Sequence, residues 1–459
     1  MFKRVAVPNR GAVASRVVRA LNELGVESLI LCSEADKDNP YVAEATFFKV
    51  IGPSAPRESY LNQDAVIRAA LEGGCDALHP GYGFLSENWE FARKTGEAGL
   101  VFIGPSPEFL KTMGDKVSAR AVMGGRGFPL SPSTGTLLGT LEEMAREAEK
   151  IGFPLLIKPA GGGGGIGMIP VFESGKLQSG LKTAASQAER GFGKSELYAE
   201  RLLINPRHVE FQIVADGREA LHLHERDCST QRRRQKVVEE AGAPGIEEAL
   251  LRETAEKAAR ALASLGYDHL GTVETLYSRE SGFSFLELNP RLQVEHAATE
   301  EVTGTDLVKI QLRLASGEKL KDILPAGTPE KRGHAVEARI YAEDPLRFLP
   351  SPGPLKVFRP PYGGGVRVET GFKEGGVVTP FYDPMIAQVI ARGETRGEAL
   401  DKLSSALEAF RVEGVKTNIP FILALLRHPP FREGGAHTGT SEELVKSPGY
   451  PNPAPEKSS

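Results

Sequence analysis

The sequence predicts an α/β protein with three blocks of structure, and three observations lead to this prediction. In residues 1–113, short apolar strands alternate with helical patterns, which is the rhythm of an open parallel sheet. Residues 114–330 hold longer strands of alternating polarity, which is typical of antiparallel sheet with one solvated face. Within this second block, a β-branched strand runs into five consecutive glycines. The chain is therefore expected to place a glycine loop over an antiparallel sheet that follows a parallel one.

The predicted elements follow the chain in this order. In the first block, strands cover residues 5–7, 28–31, 77–78 and 101–103, and helices cover residues 12–24 and 65–71. In the second block, a helix at 116–123 and a glycine- and proline-rich stretch at 124–139 precede strands at 208–215, 220–226, 271–277 and 283–288. The third block has strands at 334–342, 355–358 and 365–369 and helices at 396–410 and 418–427. Residues 446–459 contain four prolines and little apolar surface, so we expect a disordered tail.

Composition excludes several classes of protein. With 459 residues, of which 40% are hydrophobic and 25% charged, the chain resembles ordinary globular proteins. A net charge of −4 argues against a nucleic-acid partner, and no apolar stretch approaches the roughly 20 residues of a membrane span. The first residues read as a strand and not as a signal peptide, and the three cysteines show no paired spacing. We therefore expect a cytoplasmic protein without nucleic-acid or membrane partners.

Lys158 and the glycines that follow it carry the strongest functional signal. Ordering this run costs much backbone entropy, so we expect the glycines to serve the binding of a ligand. The run consists of Gly161, Gly162, Gly163, Gly164 and Gly165. Glycine amides approach anionic oxygens closely and a lysine adds charge, which predicts polyphosphate binding under a loop that closes as a lid. A flexible surface hairpin is the alternative. The Walker A and Rossmann patterns both fit poorly.

Two carboxylates stand near the ends of successive strands, Glu274 and Glu287, and Asn289 follows the second. Residues two apart on a strand share a face, so Glu287 and Asn289 can both reach a hard cation. Magnesium prefers one or two carboxylates together with nucleotide phosphates and water. We therefore predict a magnesium site, and solvated polar residues at strand ends are the alternative.

Arg291, Gln293 and Glu295 lie directly behind these residues and share a face if the segment is extended. A guanidinium, an amide and a carboxylate side by side suit a small oxyanion that is held and also deprotonated. The alternative is the beginning of a helix, with Glu295 in its first turn.

Longer motifs in all three blocks resemble those of biotin carboxylase, a family of the ATP-grasp superfamily. The matching segments are Asn9-Arg-Gly11, His79-Pro-Gly-Tyr-Gly-Phe-Leu-Ser-Glu-Asn88, Met113-Gly-Asp-Lys-Val-Ser118, Lys158 with Gly161–Gly165, and residues 205–210, 225–229, 235–240, 291–296, 333–337, 342–345 and 349–353. The resemblance implies an ATP-grasp architecture with an N-terminal domain at 1–113 and an ATP-grasp domain at 114–330. It also implies a mobile glycine-rich lid at about 130–202 and a C-terminal α+β domain at 331–445.

The resemblance implies a role for each matching residue. For ATP it implies phosphate contacts from Lys116, Lys158 and the five glycines, an adenine hinge at Glu200, Arg201 and Leu203, and nucleotide contacts from His208 and Gln231. For the metal, Mg²⁺ or alternatively Mn²⁺, it implies Glu274, Glu287 and Asn289. For bicarbonate it implies Lys236, Arg291, Gln293 and the backbone of Val294, with Glu295 as the base. For biotin it implies Arg339 at the ureido oxygen and Tyr82 nearby.

The activity implied by the resemblance is ATP- and bicarbonate-dependent carboxylation of biotin through carboxyphosphate, by a free-standing subunit that forms a homodimer. Its implied partners are a biotin carboxyl carrier protein and a carboxyltransferase subunit. The leading assignment is acetyl-CoA carboxylase, in fatty acid synthesis, and a pyruvate or propionyl-CoA carboxylase is the alternative. Another ATP-grasp ligase and a non-catalytic nucleotide-binding module are rival functions. Ile166, Arg234 and Gly364 depart from the family pattern, at the lid, beside the bicarbonate lysine and at the usual dimer aromatic.

Overall fold

The structure of the chain is a computed structural model, and it describes residues 1–160, 167–193, 195–233 and 235–450. The glycine run at 161–165, Ile166 and Arg234 therefore lie outside the described residues, and so do residues 451–459. Among the helices of the described ranges, none is both long and apolar enough to cross a membrane.

The first block forms a parallel sheet. Its strands are β1 (Arg4–Val7), β2 (Glu27–Ser33), β3 (Phe47–Gly52), β4 (Ala77–Leu78) and β5 (Val101–Phe102), and its helices are α1 (Gly11–Glu23), α2 (Pro40–Glu44), α3 (Gln63–Glu72), α4 (Trp89–Glu97) and α5 (Pro107–Gly114). The order β3-β2-β1-β4-β5 with parallel pairing confirms the predicted open parallel sheet. The edge strand β3 escapes prediction because Phe47 and Phe48 are both exposed, so no alternation marks it.

Local sequence explains where the first helices begin. Gly11 has a φ of +66°, a backbone conformation that favours glycine, and it starts α1 shortly after β1. Helix α1 then buries Val13, Val17 and Leu21 at helical spacing. Asn88 caps α4 by accepting from the Phe91 backbone N–H at 2.8 Å. The 79–88 loop therefore has a defined end at the carboxyl edge of the parallel sheet, where ligands of such sheets bind.

A small antiparallel sheet carries Lys158. Its strands are β6 (Leu155–Pro159), β7 (Ile169–Val171) and β8 (Leu197–Arg201), in the order β7-β6-β8, and the neighbouring helices are α6 (Lys116–Gly124), α7 (Leu141–Glu149) and α8 (Leu177–Phe192). Helix α7 begins at a capping box formed by Thr140 and Glu143. Leu155 and Ile157 of β6 share a core with apolar residues of α7 and α8. Lys158 thus lies on a two-layer unit with its own core.

The remaining elements build a larger sheet and the helices around it. The second block continues with β9 (Arg207–Ala215), β10 (Ala220–Arg232), β11 (Gln235–Ala241), α9 (Glu248–Ser264), β12 (Leu270–Ser278), β13 (Gly282–Asn289), α10 (His296–Thr303), α11 (Leu307–Ala315) and α12 (Leu320–Ile323). The third block has β14 (His334–Tyr341), β15 (Gly353–Pro354), β16 (Val357–Arg359), β17 (Val366–Glu369), β18 (Val377–Val378), β19 (Met385–Gly393), α13 (Arg396–Ala409), β20 (Arg411–Glu413), α14 (Ile419–Arg427), α15 (Pro429–Arg432) and α16 (Thr440–Lys446).

The large sheet has the order β13-β12-β9-β10-β11-β14-β19-β17 and is antiparallel throughout. It runs across the junction of the second and third blocks because β14 pairs with β11. The predicted domain boundaries stay a prediction. The prediction of one solvated face is wrong for β9, where Glu210 and Phe211 on opposite faces are both buried. The polar face avoids water because its charged side chains bind one another, as described below.

The predicted disorder of the tail is wrong for residues 446–450. Lys446 ends α16, and the Tyr450 ring packs against Phe421 with 6.3 Å between ring centroids. The Tyr450 hydroxyl also donates to the Pro345 carbonyl at 2.9 Å. These two contacts hold Tyr450 against the third block, and the proline-rich composition of the tail did not predict them.

Candidate active site

The floor of the candidate site is a row of charged side chains on the polar face of the large sheet. Glu287 of β13 pairs in register with Glu274 of β12, Glu274 with Glu210 of β9, and Glu210 with Arg226 of β10. On the opposite face, Phe211 lies in the apolar core that includes residues of α9. Alternation along each strand therefore places apolar residues in the core and a line of charges on the other side.

Lys236 of β11 lies at the centre of this face. Its Nζ donates to Glu210 at 2.6 Å, to Glu274 at 2.7 Å and to Glu295 at 2.7 Å. Burial disfavours its positive charge, but the anionic neighbours outweigh burial and raise the pKa of Lys236 well above its usual value. The site thus holds a mostly buried and permanently charged lysine surrounded by three carboxylates.

Glu295 immediately precedes α10 and is completely buried. Its Oε1 accepts from Lys236, and its Oε2 accepts from Nη2 of Arg339 at 2.9 Å. Burial alone would raise the pKa of Glu295, but Lys236 and Arg339 hold it well below its usual range. Glu295 is therefore ionised and able to accept a proton. An anionic ligand that draws the two cations away would raise its proton affinity.

The predicted oxyanion group is assembled, although its backbone is not a continuous strand. Arg291 donates from Nη1 to Gln293 Oε1 at 2.8 Å, and Gln293 donates to Glu274 Oε1 at 3.1 Å. The backbone turns at residues 294–295, so Glu295 occupies the N-cap position of α10, as the alternative interpretation expected. Its side chain makes no capping hydrogen bond and points to the lysine instead. The helix start of the alternative interpretation is therefore present, and the binding of an oxyanion by these side chains stays a prediction.

Arg291 also connects the first block to the second. Its Nε donates to Glu87 in the loop that follows β4, and its Nη2 donates to Asn289 Oδ1 at 3.1 Å. Burial lowers and Glu87 raises the pKa of Arg291, with a net upward shift. The guanidinium is thus a fixed charge at the junction of two blocks.

The two lysines predicted for the nucleotide phosphates have different carboxylate partners, and they are close enough for the charge of Lys116 to lower the pKa of Lys158. Lys158 pairs with Glu200, which is also 3.3 Å from Nη1 of Arg120. Burial lowers the pKa of Lys158, and Glu200 only partly restores it. Lys116, at the start of α6, has its Nζ 3.4 Å from Glu287 Oε2. The Glu200 carboxylate of β8 therefore holds the Lys158 side chain of β6 in place. The sequence did not indicate this ion pair.

The other predicted nucleotide residues lie beside these groups. Arg201 donates to the backbone carbonyls of Ile151 and Phe153 at 2.7 Å each, and so fixes the end of β8. Leu203 lines a cavity of about 850 Å³ next to this hinge. His208 Nε2 lies 3.0 Å from Glu274 Oε2, and Gln231 Nε2 lies 2.8 Å from His208 Nδ1. These last two residues lie beside the Lys236 cluster, which consists of Lys236 and the carboxylates of Glu210, Glu274 and Glu295.

The donor chemistry at the predicted metal site fits a hard divalent cation. Glu274 and Glu287 are cross-strand partners, and Asn289 is two residues further along the same face of β13. All three offer oxygen ligands, which magnesium prefers. Each carboxylate also forms an ion pair with a lysine: Glu274 with Lys236, and Glu287 with Lys116.

Arg339 of the third block and Tyr82 of the first block both approach residues 294–295. Arg339 of β14 donates from Nε to Glu239 Oε1 at 2.6 Å, in addition to its contact with Glu295. The Tyr82 hydroxyl donates to Gln388 Oε1 at 3.4 Å, and Gln388 Nε2 donates to the Val294 carbonyl at 2.7 Å. Burial raises the pKa of the Tyr82 hydroxyl, which therefore stays neutral.

Sequence reasoning missed the counter-charges of the site. Glu210, Glu239, Glu87 and Arg120 each bind a predicted residue, and Arg226 holds Glu210 at 2.7 Å. Glu210 and Gln212 alternate with apolar residues in β9, and this alternation could have revealed the polar face. Nothing local to Glu87 or Arg120 could have done so, because their partners are 80 or more residues away along the chain.

Models of three protein families match the chain in succession. They are described as "Biotin carboxylase, N-terminal domain" at residues 1–110, "Carbamoyl-phosphate synthase L chain, ATP binding domain" at residues 115–323 and "Biotin carboxylase C-terminal domain" at residues 337–443. Among curated proteins, the chain is 46% identical to the biotin carboxylase of Halalkalibacterium halodurans, over 95% of this chain and 97% of that protein. It is 43% identical to a pyruvate carboxylase subunit of Methanothermobacter thermautotrophicus, over 96% of this chain and 90% of that protein.

Solved structures give the same result. The chain superposes with a TM-score of 0.92 and 38% identity on the biotin carboxylase domain dimer of Hydrogenobacter thermophilus 2-oxoglutarate carboxylase, in complex with MgADP, ADP and bicarbonate. That match covers 98% of this chain and 99% of that one. The Campylobacter jejuni biotin carboxylase complex with β-γ-ATP gives a TM-score of 0.93 and 38% identity, over 96% of this chain and 99% of that one.

Proposed function

Because the chain belongs to the biotin carboxylase family, we propose that it carboxylates biotin at the expense of ATP and bicarbonate, by way of carboxyphosphate. It is an ATP-dependent ligase with ATP and magnesium as cofactors, and biotin on a carrier protein is its substrate. The observation that carries the proposal is the Lys236 cluster, where a buried ionised carboxylate, Glu295, lies between Lys236 and Arg339. A carboxylate between two cations suits an anionic substrate that must be held and deprotonated.

The first step needs a bound bicarbonate and a base. In our proposal, Arg291, Gln293, Lys236 and the Val294 backbone hold bicarbonate, and Glu295 accepts its proton. The ionised state of Glu295 supports this role, and binding of the anion to Lys236 strengthens the base at the moment it is needed. The bicarbonate oxygen then attacks the γ-phosphorus of ATP, with ADP as the leaving group, which forms carboxyphosphate.

Charge on the transferring phosphoryl group must be offset. We assign Lys116 and Lys158 to the ATP phosphates, and Glu200 keeps Lys158 in position by pairing with it. Magnesium, held by Glu274, Glu287 and Asn289, would supply Lewis-acid stabilisation of phosphate charge. The glycine run would form the lid that keeps water from carboxyphosphate, and the adenine would lie at Glu200, Arg201 and Leu203 with His208 and Gln231 nearby.

The second step places CO2 on biotin. Carboxyphosphate breaks down to CO2 and phosphate, and the phosphate takes the proton from the biotin ureido nitrogen. In our proposal, Arg339 stabilises the enolate oxygen that results, and Tyr82 lies beside biotin. The burial of Arg339 supports this role, because a fixed charge in a site shielded from water stabilises a developing oxyanion strongly.

For the complete reaction we propose acetyl-CoA as the final acceptor, with a biotin carboxyl carrier protein and a carboxyltransferase as partners in fatty acid synthesis. Pyruvate is the second candidate, because one relative of 43% identity is named as part of a pyruvate carboxylase. We also propose a homodimer, in line with the dimeric Hydrogenobacter domain. A cytoplasmic location accords with three buried cysteines that are free.

The test is phosphate release from ATP, measured with and without bicarbonate and with and without free biotin. Biotin carboxylation predicts release that requires bicarbonate and rises on addition of biotin. Release that needs bicarbonate but ignores biotin would indicate another ATP-grasp ligase. Binding of ATP without release would indicate a nucleotide-binding module. Reconstitution with carrier protein and each carboxyltransferase would then identify the final acceptor.

A further inference from the structure

Two buried carboxyl groups lie behind Arg339 and have no part in the steps above. Glu239 of β11 and Glu337 of β14 are direct partners in the antiparallel register, and both are completely buried. Side chains at such paired positions have Cβ atoms roughly 4.5–5.5 Å apart. Two completely buried carboxyl groups this close cannot both ionise without a large cost.

Each of the two groups has one bound oxygen and one unbound oxygen. Arg339 Nε donates to Glu239 Oε1 at 2.6 Å, and Gln388 Nε2 donates to Glu337 Oε1 at 2.5 Å. The remaining Oε2 atoms of Glu239 and Glu337 are buried and have no hydrogen-bond partner among the described residues. Buried unsatisfied oxygens are costly, and a single proton between two carboxyl groups would satisfy both.

The surroundings also favour one negative charge over two. The titratable or charged groups that face the pair are Arg339 and Tyr341 on β14, Lys236 on β11, Cys228 on β10, Glu295 before α10 and Tyr82 after β4. Burial raises the pKa of Glu239 to about 7 and that of Glu337 well above its usual value, and the charge of Glu239 raises the pKa of Glu337 further. At neutral pH the pair therefore retains a proton.

We propose that Glu239 and Glu337 share one proton between their unbound oxygens, and that this protonated pair positions Arg339 for the biotin step. With one proton the pair carries a single negative charge, which holds Nε of Arg339 and leaves most of its positive charge for the ureido oxygen. Loss of the proton would add a second negative charge beside Arg339 and weaken its field at biotin. The inference rests on the proposed function, and it makes the biotin step, more than ATP cleavage, sensitive to alkaline pH.

The test is Glu337→Gln, which replaces a protonated carboxyl group by a neutral group of the same shape. For each variant, the rate of biotin carboxylation is divided by the rate of biotin-independent ATP cleavage and followed from pH 6 to pH 9. In the wild type we expect this ratio to fall by about tenfold or more as the pair loses its proton. In Glu337→Gln we expect the fall to disappear. Glu343→Gln is the matched control, because Glu343 is another buried carboxyl group whose pKa is raised to about 7, yet it binds Arg232 and not Arg339.

Stability gives a second measurement that does not depend on activity. The pKa of Glu337 is raised on folding, so its ionisation destabilises the folded state as pH rises above the usual carboxyl range. The melting temperature of Glu337→Gln should therefore rise relative to that of the wild type as pH increases. If Glu337→Gln does not fold, the infrared spectra of the wild type and of Glu343→Gln at neutral pH should both show a protonated carboxyl band, because Glu343→Gln removes the contribution of the other carboxyl group whose pKa is raised to about 7.

Two sets of results would overturn the inference. In the first, the wild type is active, but the pH profile of the ratio is the same in Glu337→Gln as in the wild type, or Glu343→Gln changes that profile as much as Glu337→Gln does. The other is the absence of a protonated carboxyl band in the wild type. A wild type that never carboxylates biotin, at any pH, would contradict the proposed function instead.

Discussion

At the scale of single residues, Lys236 controls the charge of the candidate site. It binds three carboxylates at 2.6–2.7 Å, and these carboxylates come from β9, from β12 and from the N-cap position of α10. Removal of one partner from such a buried cluster leaves an uncompensated charge, which is more damaging than the loss of one hydrogen bond. Tests of individual roles therefore work best at residues on the edge of the cluster.

Arg339 joins this cluster through Glu295, and its proposed role belongs to the second step only. We expect Arg339→Ala to lower biotin carboxylation by about 10²–10³-fold, because one preorganised donor to a developing oxyanion is lost. Bicarbonate-dependent ATP cleavage without biotin should persist. Arg332→Ala is the control, since the Arg332 side chain is 74% exposed just before β14. A parallel loss of both activities together with a lower melting temperature would show that Arg339 only holds the fold together.

Glu287 tests the metal assignment. Its carboxylate is one-third exposed and contacts Lys116, so Glu287→Gln should leave the fold intact. Removal of one anionic ligand weakens a magnesium site that has few protein ligands, and ATP turnover should fall most at low magnesium. Glu280→Gln, on the exposed turn between β12 and β13, controls for the loss of charge. Turnover that is unchanged at low magnesium would remove Glu287 from the metal site.

At the scale of elements, the sequence predicted the strands and helices whose buried faces repeat regularly along the chain. Strands β9, β12 and β13 and helix α1 follow the predicted ranges closely, because alternation and helical spacing mark their buried faces. Strand β11 was not predicted, and its pairing with β14 depends on a partner about 100 residues away. In the same way, Glu274 was identified from its position near a strand end and Glu295 from a motif, but their common contact with Lys236 could not be predicted. Spacing shows which residues share a face, and only the fold shows which faces meet.

The pair of β6 and β8 is an element whose function can be tested directly. Glu200 of β8 holds Lys158 of β6, and both side chains are buried. We expect Glu200→Gln to raise the KM for ATP by about tenfold or more, because the lysine loses the charge that keeps it in place. Glu196→Gln, an exposed change just before β8, is the control. An unchanged KM would show that the pair is not needed for nucleotide binding.

At the scale of the whole molecule, buried ion pairs connect the three blocks. Arg16 of α1 binds Glu300 at 3.1 Å and Asp306 at 2.5 Å, which ties the first block to the second. Glu240 of β11 accepts from His334 at 2.8 Å and from Nε of Arg396 at 2.6 Å, which ties the second block to the third. The residues that converge on Glu295 and Arg339 come from these separate blocks, so the site depends on the connections between them.

Glu240 makes stability depend on acid pH. Burial raises its pKa, but the hydrogen bonds from His334 and Arg396 prevail and lower it to about 2. A lowered pKa stabilises the fold above the usual carboxyl value and loses that effect as pH falls from about 4.5 towards 2. We expect Glu240→Gln to reduce the free energy of unfolding by about 3 kcal/mol at neutral pH. In denaturant titrations the difference from the wild type should shrink below pH 4.5, and exposed Glu247→Gln should show neither effect.

The most direct test of the central claim is transfer of labelled carbon from bicarbonate to biotin. The wild-type chain, with ATP and magnesium, should form labelled carboxybiotin, and omission of ATP should abolish the product. Glu295→Gln keeps the shape of the proposed base without its proton affinity, so it should lose both carboxybiotin formation and bicarbonate-dependent phosphate release. Absence of labelled biotin with the wild type, or full activity in Glu295→Gln, would contradict the account.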